Sequence, residues 1–169
     1  LAIVIVTVIV VVVGAFAYMT YGPGTLEILI TDPPSRWGQA SQIYINYSAI
    51  EIHRADASDE SGWITIVDST AWINLTQTLD VNQTIGSKSL QTGKYNLIRF
   101  SVFEAIITVA NVNYTATVPS GKLQIAVTQG GISINAGQTA RLLIELNARV
   151  EGSIESGFRL VPDVRATPV

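Results

Sequence analysis

No charged residue appears before Glu27. The chain opens LAIVIVTVIVVVVGAFAYMTYGPG, and this run is apolar on every side of any regular element it could form. An element that is apolar all round must be buried all round. As a helix at about 1.5 Å per residue, residues 1–21 span roughly 32 Å, close to the roughly 30 Å of a bilayer core. As one strand at about 3.3 Å per residue they would run roughly 70 Å, many times the usual length of about 5–6 residues. Length therefore favours a helix, although the Val and Ile residues from Ile3 to Val13 favour strands, and a strand donated to a neighbouring subunit is the competing reading. Gly14, Ala15 and Ala17 are small enough to let helices approach closely. Phe16, Tyr18 and Tyr21 crowd the polar end, where aromatic rings favour an interface. The helix is expected to break at Gly22, Pro23 and Gly24, which form a hinge.

The same stretch can be weighed as a targeting segment. A cleavable secretory signal has a basic start and a shorter apolar core, of about 7–15 residues. A membrane anchor carries Lys or Arg on its cytoplasmic flank. Neither basic flank is present in the sequence. A third possibility is that a peptidase removes a short basic leader and leaves the apolar run as a new N-terminus.

Past this run the chain is a different material. Its 169 residues suffice for one domain with an appendage, and the expected division is 1–22 and 23–169. The net charge is −3 with no basic block, which argues against nucleic acid as a partner. With no cysteine there is neither a disulfide framework nor a thiolate metal site.

From Gly24 onward short β-like runs alternate with turns. TLEILIT at 25–31 sets Leu26, Ile28 and Ile30 on one face. QIYINYSAIEIHR at 42–54 sets Ile43, Ile45 and Tyr47 on one face, then Ile50 and Ile52 on the other, so a bulge or a strand that changes partners is expected near Ala49. KYNLIRFSVFEAIITVA at 94–110 is the longest run, and NVN at 111–113 reads as a hairpin tip. The expected fold is an N-terminal apolar helix followed by an antiparallel β-sandwich or barrel of about 7–10 strands.

Several segments carry a resemblance. GTLEILITDPPSRW, LQTGKYNLIRFSV, VPSGKLQI and GFRLVPDVRA resemble a family of secreted or membrane-anchored β-domains of unknown function, over about residues 24–166. The head of the chain resembles the archaeal type IV pilins, in which an apolar helix builds a filament core and a β-domain lies outside. That resemblance implies a self-assembling extracellular subunit whose precursor sits in the membrane. Leu1, Ile5, Ile9, Val13, Gly14 and Phe16 would then be filament-core positions. Many bacterial pilins have Glu at the fifth mature position where this chain has Ile5, so the register-setting contact of that Glu does not carry over.

Catalytic chemistry finds little footing. The lone histidine, His53, reads as an ordinary surface or edge residue. No Gly-x-Ser-x-Gly elbow is present. Asp56, Asp59 and Glu60 lie close together, but their spacing is not that of a calcium loop, and a solvated turn is expected there. Asp32, in TDPP, is expected to bond nearby backbone amides at a strand end. The chain is read as neither enzyme nor cofactor protein. Four N-glycosylation patterns stand out, at Asn46, Asn74, Asn82 and Asn113. The period-two pattern turns Asn46, Asn74 and Asn113 away from the core, and Asn82 lies in a polar loop, so N-linked glycans are expected. The function these features point to is a pilin-like structural subunit serving adhesion or surface contact. The alternative is a membrane-anchored surface domain that binds a ligand or an envelope component.

Overall fold

The computed structural model describes residues 2–32, 36–78, 82–119 and 122–169, with side chains described at all of these except 2–4 and 59. Leu1 lies outside the described residues. The apolar run is a helix, α1 (Ala2–Tyr21), and not a strand. It closes where Gly22 makes the last helical hydrogen bond, its N–H donating to the Tyr18 carbonyl at 2.8 Å. Pro23, having no N–H, cannot continue the ladder. Side chains are described over 5–21, about 17 residues, which at about 1.5 Å each give roughly 26 Å. Among the described residues no helix is long and apolar enough to cross a membrane.

Thirteen strands follow among the described residues: β1 (Gly24–Thr31), β2 (Gln42–Arg54), β3 (Trp63–Val67), β4 (Ala71–Asn74), β5 (Gln83–Leu90), β6 (Gly93–Val109), β7 (Val112–Thr117), β8 (Lys122–Ala126), β9 (Ile132–Ile134), β10 (Thr139–Glu145), β11 (Arg149–Ser153), β12 (Gly157–Val161) and β13 (Arg165–Pro168). They make a four-stranded sheet in the order β13-β10-β1-β5 and a nine-stranded sheet whose main path is β11-β12-β7-β6-β2-β3. The two longest strands, β2 and β6, run antiparallel from Gln42↔Thr108 to Arg54↔Tyr95. The outer edge of β2 is shared by β3 and β4, and that of β6 by β9, β8 and β7.

The expected bulge is present. The β2–β6 register shifts between Ser48 and Glu51, and Ala49 has φ +49°. The extra residue resets the alternation, so Ile43, Ile45 and Tyr47 before it and Ile50 and Ile52 after it all face inward, each no more than 6% exposed. From the facing sheet, Leu26, Ile28 and Ile30 of β1 and Leu142 and Ile144 of β10 enter the same core.

The expectation of an antiparallel sandwich of about 7–10 strands holds only coarsely. The architecture is sandwich-like and all-β behind the helix, but both sheets are mixed. β1 runs parallel to β10, and β12 parallel to β7. Alternation fixes which face a residue takes and is silent on strand direction. The higher count comes from β5, a mostly exposed strand with no apolar run to mark it, and from β10 and β11, and β12 and β13, each pair separated by only three residues and so reading as one run.

The sheets also meet at their flanks. A Cβ at Gly86 of β5 would lie 2.4 Å from Cγ2 of Val67 in β3. On the opposite flank, Val127 bridges to Ala166 of β13. Gly24, which starts β1, is pressed against backbone, for a Cβ there would come within 2.2 Å of the Asn135 carbonyl oxygen. Backbone cannot yield as a side-chain tip can. Gly24→Ala should therefore destabilise the β-domain by about 1–3 kcal/mol in urea unfolding. Gly14→Ala should leave it unchanged, because nothing lies within 4 Å of the place its Cβ would take.

Candidate functional site

The feature that most needs a partner is the surface of α1. Every described side chain from 5 to 21 is exposed. Ile5 is 52% exposed, Ile9 55%, Val13 61% and Phe16 69%, so four of the expected core positions lie open. A fifth, Gly14, is an open notch in the helix surface. Burying one such large side chain is worth about 1.5–3 kcal/mol. No acidic or basic residue occurs in α1, so contacts to it are made by packing.

The joint between helix and β-domain is tied down. The Thr92 hydroxyl donates to the Gly22 carbonyl. The Gly137 N–H donates to the Pro23 carbonyl at 2.9 Å, and the Thr25 N–H to the Gln138 carbonyl at 2.8 Å. Gly22 is also required by space, since a Cβ there would lie 2.3 Å from the Tyr18 carbonyl oxygen. The three residues expected to form a hinge are thus fastened to the segment before β10 and to the turn between β5 and β6.

The four sequons are spread over the β-domain. Asn82 and Asn113 are exposed, and Asn46 and Asn74 are half-buried. The Asn113 Oδ1 accepts a hydrogen bond from the Thr108 hydroxyl at 2.8 Å. The Asn74 Oδ1 accepts from the Thr76 N–H at 3.0 Å. Asn46 and Asn74 share the outer face of the nine-stranded sheet, on the neighbouring strands β2 and β4.

His53 corrects the sequence reading. It is 7% exposed, not a surface residue, and its ring meets Trp63 edge-to-face at 4.9 Å. Beside it, Arg99 donates from Nε to Glu51 at 2.6 Å and from Nη1 to Glu60 at 2.9 Å, while its guanidinium lies 4.1 Å from the Trp63 ring centre. The Glu51 hydrogen bond holds the Arg99 pKa above its ordinary value, and Arg99 in turn lowers that of Glu60. Asp56 pairs instead with Arg54, at 2.8 Å, and the Asp59 side chain lies outside the described residues. Among the described residues no three acidic or histidine side chains are placed to hold a metal ion. The only sequence sign of the Arg99 cluster is a single charge inside the apolar run NLIRFSV.

Asp32 is a structural pin of wider reach than the sequence suggests. It is fully buried, and its Oδ1 accepts from the Ala148 N–H at 2.9 Å, across 116 positions of sequence. Its Oδ2 accepts from the Trp37 indole at 3.1 Å. Together they fasten the segment after β1 to the segment after β10. Burial pushes the Asp32 pKa from 3.8 up to about 6, against the opposing pull of the Ala148 and Trp37 hydrogen bonds.

Fold and surface define a class: a mixed-sheet β-sandwich domain that carries an uncovered apolar helix at its N-terminal end. The chain belongs to the family described as Domain of unknown function (DUF4382), whose profile matches residues 23–162. A comparison with curated proteins found no match. Among solved structures, the chain is similar to a protein from Bacteroides eggerthii provisionally described as a cell adhesion protein, at 10% identity and a TM-score of 0.37. The alignment covers 86% of this chain and 56% of that one, so this chain spans a little over half of that structure.

A carboxyl whose pKa is raised by folding favours the fold when protonated. The Asp32 contribution is therefore most favourable below pH 3.8 and declines as pH rises through about 6. Measured by urea unfolding, the stability of the wild type relative to Asp32→Asn should fall by about 2–3 kcal/mol between pH 3.5 and pH 7. A constant difference across that range would show that Asp32 does not titrate this way.

Proposed function

We propose that this chain is the pilin-like subunit of an extracellular filament of the type IV class. The helices α1 bundle as the filament core, and the β-domains form the outer sheath. The observation that carries this reading is the exposure of α1 on all its faces. A helix of this kind is satisfied by copies of itself, which offer the same apolar surface in a repeating arrangement. The fastened joint at Gly22–Gly24 supports it, because a sheath held at a fixed angle to a core needs a connection that does not swing. The β-domain completes its own core without α1 and is left free to face outward. Adhesion or surface contact is the role that fits such a display, and the partners are other copies of the chain, with no cofactor and no reaction.

Removal of residues 1–21 tests the assembly. The truncated chain should be soluble, folded and unable to form fibres, as judged by circular dichroism and negative-stain microscopy. Fibres from the truncated β-domain would sink the proposal. Gly14→Leu examines the packing more finely. The site is open in the single chain, so the substitution should leave β-domain unfolding unchanged. Within a bundle the added bulk should cost about 1–3 kcal/mol per subunit and weaken or abolish fibres. Fibres of unchanged diameter and thermal stability would count against close helix packing at this position.

A further inference from the structure

The outer face of the nine-stranded sheet carries a repeated arrangement of aromatic residue and sequon. On β2 the order is Tyr44-Ile-Asn46-Tyr-Ser48, and through β4 it is Trp72-Ile-Asn74-Leu-Thr76. Residues two apart in a strand share a face, so each Asn stands beside the aromatic ring that precedes it. The antiparallel register then crosses the two pairs, placing Tyr44 opposite Asn74 and Asn46 opposite Trp72. Cross-strand partners lie about 4.5–5.5 Å apart at Cβ. Each amide is thus flanked by two rings, one on its own strand and one across. On this face Trp72 is 47% exposed and Tyr44 half-buried, and Phe103 of β6, beside the Glu104 that pairs with Asn46, is 60% exposed.

The two amides, both half-buried, differ in their place in the sheet and in what holds them. Asn46 lies on β2, between β4 and β6, and its Oδ1 is buried with no hydrogen-bond partner among the described residues. Asn74 ends β4, which among the described residues pairs only with β2, and a 3-10 turn, Leu75–Thr78, follows at once. The Thr76 N–H holds the Asn74 Oδ1, which leaves Nδ2 as the end available for attachment.

We infer that Asn74 is glycosylated and that its first sugar lies on the Trp72 and Tyr44 rings, while Asn46 stays unmodified. In the transfer step the Asn74 Nδ2 attacks the anomeric carbon of a lipid-phosphate-linked sugar donor, supplied with its transferase by the cell. The N–C bond forms, the C–O bond to phosphate breaks, the lipid phosphate leaves with the electron pair, and the amide gives up one proton to the transferase's base. The apolar C–H face of the sugar then covers the electron-rich ring faces. A sugar so placed also shields the free edge of β4 from pairing with another strand. The inference rests on the chain being exported, as the proposed function has it, but not on assembly through α1.

The experiment is glycopeptide mass mapping of full-length chain from its native cells, combined with acrylamide quenching of tryptophan fluorescence. The Asn74 peptide should carry sugar mass and the Asn46 peptide none. Asn74→Gln should abolish that mass, raise quenching by exposing Trp72, lower Tm by about 2–4 °C, and still form fibres if α1 assembles them. Trp72→Leu should keep the sugar at Asn74 but remove the difference in quenching. An unmodified Asn74, sugar at Asn46, or equal quenching with and without the sugar would overturn the inference. So would an unmodified chain in which Trp72 is shielded only in fibres, since the face would then be covered by another copy. Failure of the truncation test on α1 would leave the mass result standing, so the two readings fail separately.

Discussion

The antiparallel pairing of β2 with β6 is the constraint on which the β-domain depends. These strands, of 13 and 17 residues, give the nine-stranded sheet its spine, and the remaining strands of that sheet attach along their outer edges or extend it beyond β7. The pairing survives over such a length because the Ala49 bulge absorbs a change of phase. Without it, one half of the β2 apolar set would turn to solvent, since a one-residue slip moves every following side chain to the other face. The bulge therefore lets both halves of one long strand serve one core.

That core is complete without the helix. Leu26, Ile28 and Ile30 of β1 are covered by the β-domain itself, and β1 is flanked on both sides, by β10 and β5. The helix is left with a surface that its own domain does not cover, and the hydrogen bonds to the Gly22 and Pro23 carbonyls, with the close packing at Gly24, fix where it leaves. Helix and domain thus divide the work of the chain. One is apolar and uncharged, with a surface suited to packing against similar surfaces. The other carries every charged residue and has a finished interior.

Polar interactions in the β-domain fall into two kinds with different physical roles. Asp32 is buried and joins two distant segments, so its hydrogen bonds decide how the connections after β1 and β10 meet. Arg99 sits on the outer side of the sheet, paired with Glu51 and Glu60 and laid against Trp63. Its partners satisfy the guanidinium in place, which gives the cluster a structural account without invoking a reaction. The aromatic face near Asn74 has no such account within the chain, because Trp72 and Phe103 remain open.

Much of this was legible in the sequence. The absence of charge before Glu27 marked the helix, the Gly-Pro-Gly marked its end, and alternation identified the inward residues of β1 and β2 along with the Ala49 bulge. These are local properties, set by the spacing of apolar side chains and by backbone chemistry at Gly and Pro. The parallel direction of β1 against β10, the burial of His53 and the Asp32–Ala148 bond were not legible. Each depends on which segments meet across long stretches of chain, and periodicity carries no information on that. The aromatic–sequon pairs lie between the two cases. The sequence places Tyr44 beside Asn46 and Trp72 beside Asn74, but only the β2–β4 register sets each ring opposite the other strand's amide, because register is a property of two strands and not of one.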